Sequence, residues 1–494
     1  MEISESLKRI DYSYSNDPDF TVPVRYLYVS DLNGDGIEEL ITAGFEGNST
    51  NPEEEYDNTK ISIFGWKNGD FQNITTDWMP NGIDQIEGAA DLAFGDFNGD
   101  GLVDIYSAAG VDMDYIVNAY QYLNLGDGFS RSVVKEAEWE HGSTVYDFNA
   151  DGFDDVMPTG WSDTIKIMLG SESGLYVPSN AFVAYGADAE VADFLGDGSV
   201  LFVVTDNNGA DYDPNDNRLY RFNDVFWGEE LSALPLQPLE KIDLGINNDD
   251  NSHDPRVEAF DFNRDGLNDI LIFSRGGWDG SVWVERSSIQ FLKNLGDAEF
   301  IDVTDETLLN YDSFSMIGYT PVFRDFNNDG WVDIFQSDMS DWTRTAHTSS
   351  SLILGKNDGA FVDGYRNDIG SLLEPSNGGL AQILLGPDGM NYLVTAHLVN
   401  QGLNNGGAAW LNLYEMTFPE RDESESLADS GLDDTIYGMG GNDTISLTSG
   451  NDFVDGGEGI DTTIYFSTLS SITNTSNGYS VNGDTLINVE RVQF

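Results

Sequence analysis

Short apolar runs alternate with polar, glycine-rich turns along almost the whole chain. "YLYVS" (26–30), "LAFG" (92–95) and "VEAF" (257–260) each lead into an acidic turn, and "LITA" (40–43), "DIYSA" (104–108) and "DILIF" (269–273) follow one. Further on come "YLNLGDGF" (122–129), "FLKNLGDAEF" (291–300) and "LILGKNDGAF" (352–361), each an apolar run broken by Gly, Asp or Asn. Runs this short, bounded by such residues, predict β-strands joined as hairpins. No run approaches the roughly 20 apolar residues of a membrane helix.

The acidic turn itself repeats. "DLNGDGIEEL" begins at Asp31, "DFNGDGLVDI" at Asp96, "DFNADGFDDV" at Asp147, "DFNRDGLNDI" at Asp261 and "DFNNDGWVDI" at Asp325. Two degenerate copies, "DFLGDGSVLF" from Asp193 and "LLGPDGMNYL" from Leu384, bring the number of units to seven. Four short strands in each of seven units predict an all-β, seven-bladed β-propeller, in which radial repetition leaves few exposed sheet edges. The N-terminal "LKRIDYSYS" (7–15) is expected to close the last blade beside "AWLNLYEMTF" (409–418).

Composition narrows the function. Against 87 Asp+Glu there are 22 Lys+Arg, a formal charge of −65 on 494 residues. That charge opposes nucleic acid and anionic membranes as partners. With 40% hydrophobic content the chain still has the material for a core, so disorder is rejected. The absence of cysteine excludes disulfides, thiol nucleophiles and Cys-based zinc sites. The N-terminus has no apolar core of a secretory signal.

In D-x-N-x-D-G-x-x-[DE], side chains at positions 1, 3, 5 and 9 and a carbonyl at 7 offer the hard oxygens that suit Ca²⁺. The predicted ligands are Asp31, Asn33, Asp35, Ile37 and Glu39; Asp96, Asn98, Asp100, Leu102 and Asp104; and Asp147, Asn149, Asp151, Phe153 and Asp155. The last two sets are Asp261, Asn263, Asp265, Leu267 and Asp269, then Asp325, Asn327, Asp329, Trp331 and Asp333. An EF-hand needs Glu at position 12; Thr42, Ser107, Pro158, Ile272 and Gln336 stand there, so that motif is rejected. The degenerate turns are expected to bind no ion. Filled ligand positions in five copies make a plain Asp/Asn/Gly turn a poor account.

These units resemble the FG-GAP/VCBS repeats of integrin α-subunit propellers and of many bacterial extracellular proteins, over residues 1–418. The resemblance implies about five structural calcium ions and says little about chemistry. After a linker at 419–428 the period shortens to nine: "DSGLDDTIY", "GMGGNDTIS", "LTSGNDFVD" and "GGEGIDTTI". This stretch resembles the RTX nonapeptide, which implies a small parallel β-roll over 429–494. In such a roll Ile436, Ile445 and Val454 fill the interior, and Asp434, Asp443, Asp452 and Asp461 meet one or more Ca²⁺. Alternate turns stack, so Asp434 is expected to face Asp452, and Asp443 to face Asp461. "NGDTLINVERVQF" resembles the segment that caps such rolls. RTX proteins typically leave bacteria by type I secretion, which implies an extracellular or cell-surface location. No secretion signal follows Phe494, so the chain is expected to be a piece of a longer protein; it is otherwise expected to be monomeric.

The calcium loops of such propellers lie on one face, which leaves the other for recognition. All four histidines fall in loops of that second face: His141, His253, His347 and His397. Trp139, Trp161, Trp278 and Trp342 share these loops, with Asp163, Asp254, Arg256, Arg275 and Arg344 nearby. Any one of them has a plainer use in packing or in satisfying loop backbone; their clustering favours a site. Tryptophan stacks on the apolar face of a sugar, and Asp, Asn and His bind its hydroxyls. The expected function is calcium-dependent, adhesin- or lectin-like binding of glycan or peptide on another cell or surface, with no catalytic residue assigned. The alternative is a polysaccharide lyase or glycosidase using the same loops. A passive spacer is disfavoured by the long insertions at 43–58, 205–218 and 241–256.

Overall fold

The computed structural model describes residues 2–3, 7–13, 24–44, 59–86, 89–109, 117–137, 140–160, 166–178, 184–185, 188–196, 201–205, 218–221, 253–279, 282–296, 299–309, 321–327, 330–336, 351–356, 359–363, 381–398, 408–417, 426–428, 435–437, 440–448, 451–456, 458–466, 468–469, 471–474 and 478–494. The protein is a β-propeller followed by a parallel β-roll. Among the described residues seven mainly antiparallel sheets follow one another along the chain. In the second, Ala89–Gly95, Asp104–Ala109, Val117–Asn124 and Phe129–Ala137 pair in sequence order, as a chain of hairpins must.

Each sheet contains a strand that enters one of the seven repeated turns. The strand leaving the turn is the most deeply buried: Asp104–Ala109 and Asp155–Gly160 are buried at every position. A strand covered on both faces reads as a continuous apolar run, which is what "DIYSA" and "DILIF" supply. Neighbouring sheets share cores. Tyr28, Ile41 and Ile63 of the first pack with Leu92, Ile105 and Tyr122 of the second.

The last sheet combines the first residues of the chain with the last strand before the roll. Lys8–Ser13 pairs antiparallel with Ala408–Thr417, in register from Lys8 opposite Leu413 to Ser13 opposite Ala408. Glu2–Ile3 continues along the same strand. This sheet packs on the first: Leu27, Leu40, Phe64 and Phe71 share a core with Leu384, Tyr392, Val394, Leu411 and Leu413. Gln382 Nε2 donates to Leu27 O across the seam at 3.1 Å.

The C-terminal residues form two larger parallel sheets, beside a short parallel pair of Gly440–Gly441 with Glu458–Gly459. One orders Ser426–Ala428, Thr444–Leu447, Thr462–Tyr465 and Arg491–Gln493. The other stacks Thr435–Tyr437, Phe453–Asp455 and Asp484–Ile487 and adds a terminal hairpin. Ile445, Leu447, Val454, Tyr465, Val481 and Leu486 fill the space between. Among the described residues no helix is long and apolar enough to cross a membrane.

Candidate functional site

The first acidic turn folds around its own side-chain oxygens. Asp35 N donates to Asp31 Oδ1 at 3.1 Å and Asn33 Oδ1 at 2.8 Å. Gly36 N donates to Asp31 Oδ2 at 2.7 Å and Ile37 N to Asp35 Oδ1 at 2.8 Å. The turns at Asp96, Asp147 and Asp261 repeat the four bonds position for position. The sixth-position glycine has a left-handed φ in all five turns, +83° at Gly36 and +91° at Gly152, which explains its presence. Position four is left-handed in the first four of these turns, and at Ala150 and Arg264 a residue with a side chain holds it.

The ninth-position acids are fully buried or nearly so: Glu39, Asp104, Asp155, Asp269 and Asp333. Asp104 accepts Phe97 N at 3.0 Å and Asn124 N at 2.7 Å, joining turn and third strand. Asp155 holds Phe148 N and Gly170 N, Asp269 holds Phe262 N and Asn294 N, and Asp333 holds Phe326 N and Gly355 N. Burial, against these hydrogen bonds, pushes Glu39, Asp104, Asp155 and Asp269 up to about 7. The other acids of each turn raise them further.

Carboxylates, a carboxamide and a backbone carbonyl form a donor set that fits a hard divalent cation. Among the described residues no three acidic or imidazole side chains converge on one point. The amide and carbonyl oxygens are therefore essential to any ion held here. Asp329 lies outside the described residues. The turn at Leu384 does not fit an ion: Tyr392 stands at position nine and its hydroxyl donates to Asp388 Oδ2 at 2.8 Å. The Tyr392 ring lies 2.3 Å from where a Cβ on Gly386 would sit, so the ring fills the turn.

In the roll, Asp443 N donates to Asp461 Oδ1 at 2.8 Å, and Asp461 N donates to Glu490 Oε2 at 2.8 Å. On the other side Asp452 N donates to Asp484 Oδ1 at 2.8 Å; Asp434 lies outside the described residues. Asp461 is fully buried and its Oδ2 has no hydrogen-bond partner. Burial first, and then Asp443 and Glu490, push its carboxyl up. An orphaned buried oxygen between like charges fits a bound cation. Asp484 and Glu490 were missed in the sequence because the tail lacks the glycine pair. "NGDTLI" (482–487) nevertheless echoes "GNDTIS" (441–446).

The predicted ligand residues divide by position. His141, His253, Asp254, Arg256, Arg275, Trp278 and His397 stand on strands, all at ends remote from the acidic turns. His253 is opposite Arg275, and His397 opposite Trp410. Register shifts interrupt three innermost strands at this end, between Val24 and Tyr26, Glu140 and Gly142, and His253 and Arg256. Bulges there re-aim side chains, a use common beside functional sites. Beside His141, Glu140 is fully buried, accepts from Tyr106 Oη at 2.8 Å and Ala109 N at 2.6 Å, and pairs with Lys135 at 2.5 Å. Trp139, Trp161, Asp163, Trp342, Arg344 and His347 lie outside the described residues.

Residues 31–107 and 261–336 match the FG-GAP-like repeat, and residues 430–463 match four copies of the RTX calcium-binding nonapeptide repeat. The chain joins FG-GAP-like repeats to an RTX calcium-binding module. Among curated proteins none matches it in sequence. Similar solved structures include an ancestral GH74 enzyme at 9% identity and TM-score 0.45, covering 85% of this chain and 52% of that one. Polysaccharide lyase Uly1 follows at 10%, TM-score 0.36, covering 84% and 100%. The Dos1 propeller stands at 9%, TM-score 0.35, covering 82% and 94%. Likeness this distant decides nothing about activity.

Proposed function

We propose that this FG-GAP/RTX chain is an extracellular recognition module, exported by type I secretion, whose propeller acidic turns hold calcium as scaffold. The remote strand ends then bind glycan or peptide. The carrying observation is the division of labour along each strand. At one end every turn spends its acids on its own backbone; at the other, innermost strands bulge where His141 and His253 stand. RTX repeats are typical of secreted proteins, which meet millimolar calcium only outside the cell.

A panel of soluble polysaccharides and peptides, assayed for retention and for release of new chain ends, tests the reading. Calcium-dependent retention with the polymer intact supports it. Shortening of the polymer replaces it with the lyase or glycosidase reading. Failure to retain any member sinks it.

A further inference from the structure

Three of the repeated turns lean on the turn before them. Glu38, Asp154 and Asn268 stand at position eight, between the predicted carbonyl ligand at seven and the buried acid at nine. Each reaches the backbone at the start of the preceding turn. Asp154 N donates to Asp96 O at 3.0 Å, and Asp154 Oδ2 accepts Asp96 N at 2.8 Å. Asn268 Nδ2 donates to Asp193 O at 3.1 Å. Around the closure of the ring, Glu38 N donates to Leu385 O at 3.1 Å and Glu38 Oε2 accepts Leu385 N at 2.7 Å. The turns at Asp193 and Leu384 are degenerate, so of these three contacts only that of Asp154 joins two complete donor sets.

The turns at Asp96 and Asp147 also touch through position seven. The Phe153 ring lies 2.7 Å from where a Cβ on Gly99 would sit, so a side chain at position four of the Asp96 turn would displace it. Gly95, just before Asp96, brings its backbone equally close: Asp154 Oδ2 lies 2.9 Å from its Cβ position. Phe153 O and Asp155 are predicted ligands of one ion, and Asp154 stands between them. Asp96 is the first ligand of the other. Its carboxylate accepts Asp100 N at 3.0 Å and Gly101 N at 2.7 Å, so a grip on its backbone aims the group that closes its own turn. Without a cation the acids of each turn repel one another. A turn that loosens at residues 153–155 therefore loosens the hold on Asp96.

We propose that Asp154 is a positioning residue for calcium in the Asp96 turn, whose ligand set does not include it, and that the ions of the Asp96 and Asp147 turns bind cooperatively through it. Such coupling is reciprocal: an ion in either turn raises the affinity of the other by the same factor. The inference rests on the reading that these turns hold calcium, and it adds that the two sites act as a pair.

Equilibrium dialysis with elemental analysis, over a series of calcium concentrations, counts ions on the full chain while circular dichroism follows the fold. Asp147→Ala should remove one ion and weaken a second about tenfold, and Asp96→Ala should do the same in the other direction. Asp154→Ala removes no ligand, yet it should weaken two ions about tenfold. Asp154→Asn keeps an oxygen for Asp96 N and should retain most of the affinity. Should Asp147→Ala unfold the chain, the two Asp154 variants decide alone. Loss of one ion from Asp147→Ala with every other affinity unchanged overturns the inference and leaves calcium in the turns standing. Equal losses from Asn and Ala at 154 also overturn it, because the residue would then act by charge alone. If neither Asp147→Ala nor Asp96→Ala loses an ion, the calcium reading of these turns fails and the inference fails with it.

Discussion

The carboxamide of Asn124 donates to the carbonyl of Leu32, 2.6 Å away in the preceding acidic turn, and to Val103 O at 3.1 Å in its own. Asn294 repeats the arrangement with Phe194 O at 2.7 Å and Asn268 O at 2.9 Å. Elsewhere the same second-position carbonyl meets other donors: Phe97 O takes Ser171 N at 3.1 Å and Phe326 O takes Asn391 Nδ2 at 2.8 Å. Consecutive turns are thus latched by a residue of the following sheet. Asn124→Ala should destabilise the folded chain by ~1–3 kcal/mol, because a buried side chain leaves two buried carbonyls unmatched. Asn294→Ala should cost the same, and the double variant the sum, since the two latches share no partner. Urea unfolding in calcium checks all three. A neutral single substitution would remove the latch from the account.

The buried ninth-position acids give stability an unusual pH dependence. Glu39, Asp104, Asp155 and Asp269 sit near 7 in the fold, against ordinary values of 4.5 for Glu and 3.8 for Asp. Without metal the folded state binds these protons more tightly than the unfolded state. The stability they contribute is complete below about pH 4 and is lost as pH rises toward about 7. Calcium favours the ionised form and should reverse the slope over that window. Melting temperatures of chelated and calcium-loaded protein across this range should therefore diverge as pH rises. Asp104→Asn should flatten the metal-free slope and shrink the calcium gain. Parallel curves with and without calcium would contradict both.

The turns were legible in the sequence because everything they need is local. Asp31, Asn33, Asp35 and Gly36 lie within six residues, and their spacing alone brings the oxygens together. Asn124 was not legible as a latch, because its partner Leu32 is 92 residues away in another sheet. Glu490 and Asp484 escaped for a related reason. Their places are set by stacking onto Asp461 and Asp452, and stacking has no nonapeptide signature in "VNGDTLINVERVQF". Trp278 is one of four tryptophans that the sequence assigns to the second face. Its pairing with Trp283 follows only from the hairpin register.

Tyr392 explains how one turn closes without metal. Its hydroxyl on Asp388 stands where an ion would otherwise neutralise the fifth-position acid. Burial and Asp388 together hold its phenol proton, up to about 12. Tyr392→Phe should cost roughly 1 kcal/mol, the worth of one hydrogen bond to a charged group at a half-open site. The number of calcium ions per chain should not change, because the ring still fills the turn. Elemental analysis of the dialysed variant measures that number; a gained ion would show that the hydroxyl, and not the ring, keeps metal out.

The stacked acids of the roll lead to the last expectation. Asp443, Asp461 and Glu490 line one side, each joined to the next through a backbone N–H, with Asp461 Oδ2 left without a partner. Glu490 receives the Asp461 amide as Asp461 receives that of Asp443, so the tail continues the order of the repeats. Asp461→Asn should remove at least one calcium ion per chain, since the orphaned oxygen then belongs to a neutral group. Glu490→Gln keeps an oxygen for the Asp461 amide and removes only charge. It should weaken calcium binding severalfold while preserving the metal-free fold, and Glu490→Ala should do both harms. Terbium luminescence, read with circular dichroism on the whole chain, separates the three outcomes. Equal effects of Gln and Ala would make the charge of Glu490 its whole contribution, and a silent pair would limit the metal site to Asp443 and Asp461.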